Sequence, residues 1–138
     1  MDDKSKATLD TAFAFMTAMG SGDTAAMEKL MADGMVWENE GDKEVPWIGI
    51  WKGKKEIFAF LKTFGQGAKP TMWENGAAFA DGGHAAVFGR MALELTKSGK
   101  NTGPFNFAVH VEVAEGKIKR WTWFEDSHLL SRTYHAGQ

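Results

Sequence analysis

The first half of the chain has the spacing of apolar residues that is typical of amphipathic helices. From Ala7 to Met19, apolar side chains recur every three or four positions, which is the helical period. The stretch 20–22, Gly-Ser-Gly, ends this helix, and Asp23 is suited to cap a second helix that stops near Gly34. These patterns predict two consecutive helices at the start of the chain.

The middle of the chain predicts a short strand, a loop and a third helix. Residues 35–40 read as the strand, and the loop over 41–53 is punctuated by glycine and proline. An apolar stripe over 57–64, closed by Gly65 and Gly67, indicates the third helix.

After Pro70 the pattern changes to strands that are separated by polar, glycine-containing turns. The predicted strands cover 71–80, 85–96, 104–114 and 117–127. Helices followed by hairpin-connected strands predict an α+β fold in which the helices cover one face of a curved, mainly antiparallel sheet.

The last hairpin predicts a sheet that is apolar on both faces. Pairing Ala114 with Lys117 places His110 opposite Trp121, and Ala108 opposite Trp123, on one face. The other face is almost entirely apolar and contains Phe107, Val109, Val111, Val113, Ile118, Thr122 and Phe124. Because both faces must be covered and the helices can cover only one, we expect a homodimer through the face of Val109, Val111 and Phe124.

Composition narrows the classes of partner. The net charge of −2 arises from intermixed signs, so the chain has no basic face for nucleic acid. No stretch approaches the roughly 20 apolar residues that would span a membrane. The absence of cysteine and of a secretory signal favours a cytoplasmic protein. The length fits one domain over 1–138, with loosely ordered ends at 1–6 and 129–138.

Several segments together resemble a known family. They are the Gly22-Asp23 helix junction, Met35 to Asn39 before a glycine-containing loop, Gly49 and Gly53 before the third helix, and Gly116 to Trp121 leading to Phe124 to Ser127. In their order and spacing the chain resembles the nuclear-transport-factor-2-like superfamily, and within it the SnoaL-like and ketosteroid-isomerase-like branch. The resemblance implies a cone-shaped, half-open barrel with a deep pocket, a dimer through the outer sheet face, and no organic cofactor.

The catalytic groups of ketosteroid isomerases do not carry over to this chain. Those enzymes use a carboxylate base facing a tyrosine and a protonated aspartic acid that bind the oxyanion. By the resemblance, the tyrosine falls on Phe15, the base on Asn39 and the second acid on His110. The sequence therefore predicts no steroid isomerisation by that mechanism.

His110 and Asn39 are the predicted catalytic residues. His110 is a lone titratable group on the face assigned to the pocket, where it could transfer a proton, although a hydrogen-bonded core or interface histidine is the alternative. Asn39 could donate a hydrogen bond to a carbonyl or oxyanion, or cap the loop after its strand. No spacing brings the other histidines to His110, so no metal site is expected.

Tryptophan is abundant, with six residues beside ten phenylalanines and one tyrosine, which favours an aromatic pocket. The predicted ligand-binding residues are Phe15, Trp37, Trp47 as a lid, Trp51, Ala108, Trp121, Trp123, and Glu125 at the pocket mouth. The side on which Arg90 lies stays open. We expect a small apolar or aromatic ligand and acid–base isomerase, cyclase, dehydratase or hydrolase chemistry; the alternative is a non-catalytic ligand-binding or dimerisation module.

Overall fold

In the computed structural model, which describes residues 1–137, helices lie against one face of a six-stranded sheet. The helices are α1 (Asp3–Gly20), α2 (Thr24–Leu30), α3 (Gly53–Gly67) and α4 (Ser127–Tyr134). The strands are β1 (Met31–Asn39), β2 (Gly49–Lys52), β3 (Ala68–Asp81), β4 (His84–Leu95), β5 (Phe105–Ala114) and β6 (Lys117–Glu125). The sheet order is β2-β1-β6-β5-β4-β3, and it does not close. The predicted α+β fold is confirmed.

Every neighbouring pair of strands in the sheet is antiparallel except β1 and β6, which are parallel. This one parallel pair sets Trp37 of β1 beside Trp121 of β6, and Asn39 beside Trp123. Two strands that are distant in sequence thereby bring their indoles to the inner face of the sheet.

The chain is helical from Asp3, within the segment 1–6 for which the sequence predicted a loosely ordered end. Asp2 caps the helix by accepting a hydrogen bond from the Ser5 N–H at 2.7 Å. The Ser5 hydroxyl accepts a bond from the Gly82 N–H, and the Thr8 hydroxyl donates to the Gly82 carbonyl at 2.6 Å. These bonds tie the first turn of α1 to the β3–β4 turn.

Two element boundaries in the first half differ from the prediction. Helix α2 ends at Leu30 rather than near Gly34, because Met31 already pairs with Ile118 of β6 and is buried. The predicted loop also contains a strand, β2, whose Trp51 pairs with Trp37. Pairing within the sheet therefore determines both where α2 ends and that residues 49–52 form a strand.

The C-terminal segment is a helix rather than the predicted loose tail over 129–138. Helix α4 is capped by Asp126, which accepts a bond from the Leu129 N–H at 3.0 Å. Leu130 and Thr133 are buried on its inner side. Gln138 lies outside the described residues.

The β5–β6 hairpin contains a bulge that reverses the predicted faces. Ala114 pairs with Lys117 as predicted and Val113 pairs with Ile118, but the register then shifts, so that Glu112 faces Arg120 and His110 faces Thr122. One extra residue on β6 moves every later partner to the opposite face. The predictions that His110 and Ala108 point inward are therefore wrong.

The same shift corrects the surface predicted for the dimer. Val109 and Val111 are buried in the core under the helices, and only Phe124 of the three predicted residues lies on the outer face. Arg90 also lies exposed on this outer face, opposite Glu74 of β3.

Neighbouring groups leave no room for a side chain at Gly89. A Cβ atom there would lie 2.4 Å from Phe107 Cζ and 2.4 Å from the Glu74 carbonyl oxygen, so only glycine fits.

Among residues 1–137, no helix is long and apolar enough to cross a membrane.

Candidate active site

A cavity of about 70 Å³ lies between the inner face of the sheet and helices α1 and α3. Its lining is apolar apart from one amide and one carboxyl side chain. The lining residues are Met19, Trp37, Asn39, Trp47, Phe60, Leu61, Phe64, Trp73, Met91, Leu93, Trp123 and Glu125. Of the predicted ligand-binding residues, Trp37, Trp47, Trp123 and Glu125 are in this set, together with Asn39.

Aromatic rings form the wall at the β3 side of the cavity. Trp123 stacks on Phe107 with ring centroids 4.6 Å apart, and the Trp73 ring lies 5.8 Å from that of Trp123. They supply an apolar surface against which a flat ligand could stack.

Asn39 holds the opposite wall together through two hydrogen bonds. Its side-chain oxygen accepts a bond from Trp37 Nε1–H at 2.9 Å, and its Nδ2 donates to the Trp47 carbonyl at 2.9 Å. These bonds fix the orientation of the amide. The second amide hydrogen of Asn39 has no acceptor within residues 1–137.

Trp47 is a fixed part of the wall rather than the predicted lid. Its ring is buried and meets Phe64 and Tyr134 edge-on, at centroid distances of 5.5 and 6.0 Å. A Cβ atom on Gly67 would lie 2.4 Å from this ring, so the close packing requires glycine at that position. The indole is therefore held from three sides.

Glu125 is the titratable group of the cavity. Burial raises the pKa of its carboxyl to about 7, because the charged form loses hydration. The hydrogen bond that Trp123 Nε1–H donates at 2.9 Å lowers the pKa in part, and the neighbouring Asp126 raises it. Near neutral pH this carboxyl is present in both protonation states, so it can give or take a proton.

Glu125 and Asn39 lie on adjacent parallel strands. Asn39 is level with Trp123, so Glu125 lies two residues further along the sheet. Strand geometry places the two Cα atoms about 8 Å apart. Both side chains line the cavity, which thus offers a proton-transfer group and an amide donor among apolar side chains.

Three residues that were predicted to line the pocket lie on the inner side of the sheet but do not line the cavity. Phe15 and Trp121 are fully buried against each other, with ring centroids 4.9 Å apart, and Trp51 stacks on Phe60. The indole N–H groups of Trp51 and Trp121 have no hydrogen-bond partner within residues 1–137. These rings support the cavity from behind and do not line it.

His110 lies on the other side of the sheet from the cavity. It is exposed, and its Nε2 lies 3.0 Å from Nδ1 of His84, which the sequence had not placed near it. Ala108 shares this outer face. The sheet itself separates both residues from the cavity, so His110 has no path to a ligand bound there.

Sequence reasoning did not single out most of the α3 and β4 wall. Phe60, Leu61 and Phe64 of α3 and Met91 and Leu93 of β4 line the cavity. Their apolar periodicity predicts burial but does not distinguish the wall of a cavity from a filled core.

A second polar cluster, Asp42, Glu44 and His135, could in principle hold a cation, since their ligand atoms lie within 4.8 Å of one another. Hydrogen bonds already account for the arrangement. Asp42 Oδ2 accepts from the Ser131 hydroxyl at 2.7 Å and lies 2.9 Å from His135 Nε2. The bond from Ser131, with those from the Glu44 N–H and His135, lowers the pKa of Asp42. The cluster ties the loop after β1 to α4.

Replacing Asn39 by alanine is expected to lower the free energy of unfolding by about 1–3 kcal/mol. The change leaves the buried Trp37 N–H and the Trp47 carbonyl without partners. Urea denaturation followed by tryptophan fluorescence measures the effect. Asn75→Ala is the matched control, because Asn75 accepts the same kind of bond from Trp73 Nε1–H on the exposed surface. Equal losses in the two variants would contradict the buried role of Asn39.

Comparison with known proteins gives one family. The model of the SnoaL-like domain matches residues 12–121. No curated protein matches the sequence.

Solved structures show the same fold. An NTF2-like protein from Burkholderia xenovorans LB400 superposes with a TM-score of 0.87 at 18% identity, covering 95% of this chain and 98% of that one. TerC co-crystallised with polyporic acid gives 0.80 at 15% identity, with coverages of 94% and 99%. An LEH-like epoxide hydrolase of M. tuberculosis gives 0.72 at 18% identity, with coverages of 96% and 92%. The half-open cone predicted from the sequence is thereby confirmed as the fold.

Proposed function

Because the chain belongs to the SnoaL-like domain family, we propose that it binds a compact apolar molecule carrying a carbonyl or similar oxygen and transfers a proton on it. The observation that carries this proposal is Glu125, a carboxyl with a pKa of about 7 in an otherwise apolar cavity. A pKa near the working pH gives a general acid or base its greatest efficiency. Glu125 replaces His110 as the proposed proton-transfer group.

Asn39 is proposed as the partner of Glu125. Its free amide hydrogen is held by the bonds to Trp37 and Trp47, so it is already oriented when a ligand arrives. A fixed donor directed at an oxygen stabilises the negative charge that develops when a neighbouring proton leaves. Proton removal by Glu125 beside such an oxygen gives an enol or enolate, the common intermediate of isomerisation, cyclisation and dehydration.

Two of the structural neighbours support an organic ligand. TerC was co-crystallised with polyporic acid, and another neighbour is an LEH-like epoxide hydrolase. No steroid isomerisation is proposed, since Asn39 stands where the base of that mechanism is expected.

Exchange of carbon-bound hydrogen for deuterium tests the proposal directly. Small ketones such as cyclohexanone and acetophenone are incubated with the protein in D₂O, and loss of the α-proton signal is followed by NMR. We expect exchange well above the rate in buffer with the same carboxylate concentration. Rates equal to that background for a ketone shown to bind would contradict proton transfer.

The small cavity volume of about 70 Å³ favours a second candidate, a binding module without catalysis. A space of this size holds only a few ligand atoms, so a ligand could be held without room to react. Binding of ketones that quenches tryptophan fluorescence, without exchange, would support this second function.

We also propose that two copies associate through the outer face of the sheet. Three aromatic side chains are exposed there, Phe79 by 63%, Phe88 by 44% and Phe124 by 48%, and an apolar patch of this kind is unusual on a monomer. The cytoplasmic location predicted from composition stays a prediction.

The wild-type protein is therefore expected to sediment as a dimer at micromolar concentration, and Phe88→Glu is expected to shift it to a monomer, because a charge would be buried in the interface. Analytical ultracentrifugation measures both. Ile50→Glu is the control, since Ile50 is 53% exposed on β2, at the other edge of the sheet from β3 and β4. A monomeric wild type, or dissociation by both variants alike, would count against this surface.

A further inference from the structure

A wide apolar groove lies beside the cavity, on the helical side of the molecule. It runs between the junction of α1 and α2, helix α3 and the start of β3, and encloses about 1010 Å³. Met16 and Met27 form its buried floor. We refer to it as the methionine groove. Its volume is many times that of the cavity beside Glu125.

The methionine groove adjoins the cavity. Met19, Leu61, Phe64 and Trp73 line both. These four side chains form the boundary between the two spaces, so a ligand that occupies both must pass between them.

The lining of the methionine groove indicates the chemistry of its occupant. Three methionines supply flexible thioether chains that adapt to a variable apolar partner. Glu28 and Lys62 are its only charged lining residues. An extended peptide would leave unpaired backbone N–H and C=O groups facing carbon and sulfur, which is costly. An aliphatic chain has no such groups and loses only its contact with water.

Resting on the proposed function, we propose that the substrate is an amphiphile: a carbonyl head lies in the cavity beside Glu125, and an unbranched aliphatic tail lies in the methionine groove. The cavity limits the size of the head, and the groove accommodates the length of the tail. The compact molecule of the proposed function is then the head of a long-chain aliphatic carbonyl compound.

Gly65 allows the groove to be blocked without touching the cavity. It is an exposed position of α3 that lines the groove only, and a Cβ atom there meets nothing within 4 Å. Gly65→Trp fills part of the groove, and replacing a helical glycine does not strain the backbone. Gly34→Trp is the matched control, because Gly34 is also exposed and unobstructed but lies on β1 outside the groove.

The test uses straight-chain 2-alkanones from butanone to decanone, with binding measured by calorimetry. For the wild type and Gly34→Trp, we expect Kd to fall by about 2- to 4-fold for each added methylene that enters the groove. For Gly65→Trp we expect the short ketones to bind as before and the dependence on chain length to disappear. A flat series in the wild type, an unchanged slope in Gly65→Trp, or no binding by any ketone would overturn the proposal.

The outcome is separable from that of the proposed function. If the groove binds tails but Glu125 transfers no proton, affinity rises with chain length and no ketone exchanges its α-protons. If Glu125 is active but the groove is irrelevant, butanone and decanone bind equally and both exchange deuterium. Of these two outcomes, only equal binding of butanone and decanone refutes the proposal that the groove binds the tail.

Discussion

The variant Glu125→Gln is expected to exchange the α-protons of a bound ketone about 10²- to 10⁴-fold more slowly than the wild type, which is the usual contribution of a general base. Glutamine keeps the shape of the side chain and can still accept the hydrogen bond from Trp123 Nε1–H. It cannot accept a proton from carbon. The loss should therefore appear in the rate and leave the Kd for the ketone almost unchanged.

The control for this experiment is Glu112→Gln. Glu112 lies on β5 facing Arg120 on the outer side of the sheet, so its carboxyl has no access to the cavity. We expect wild-type exchange in this variant. If Glu125→Gln exchanges as fast as Glu112→Gln, Glu125 is not the acid–base group. A large increase in Kd for Glu125→Gln alone would instead indicate a binding role.

The pH dependence of stability is the second large effect expected of Glu125. In the folded protein the pKa of this carboxyl is about 7, against 4.5 for the ordinary value. Between these values the unfolded chain releases a proton that the folded protein keeps, so stability falls as pH rises. The contribution is fully present below pH 4.5 and lost above pH 7, and amounts to at most about 3 kcal/mol.

Urea denaturation at half-unit steps from pH 4 to 8 measures this effect, with Glu125→Gln as the reference. The difference in unfolding free energy between the two proteins should shift steadily in favour of the variant across this range. Asp42 does not disturb the comparison, because its pKa is lowered from 3.8 and its contribution therefore changes at lower pH. A difference that is constant with pH would mean that Glu125 has an ordinary pKa.

Local patterns in the sequence were sufficient for most elements of the fold. The three-to-four spacing and the cap at Asp23 predicted α1 and the start of α2, and the glycine-containing turns predicted four strands. Alternation within β6 correctly placed Trp121, Trp123 and Glu125 on one face. These signals are local because helix caps, turns and strand alternation depend on residues a few positions apart.

The C-terminal helix and the end of α2 were decided by contacts with distant residues. Helix α4 is short and mostly polar, and it is held by Leu130 in the core and by the bonds from Ser131 and His135 to Asp42. Met31 joins β1 because Ile118 is there to pair with it. No signal within either segment reports such a partner.

The candidate site shows most clearly the difference between what local sequence patterns determine and what contacts between distant residues determine. The sequence alone determined that this chain forms an α+β cone with many indoles and that Glu125 shares a face with Trp123. Only the tertiary structure decided that His110 lies outside and that Glu125 is a half-buried acid of the cavity. The phase between two strands is set by their hydrogen-bond register, and the single extra residue in β6 reverses it. The pKa of Glu125 depends on burial by distant elements that its own sequence neighbours do not reveal.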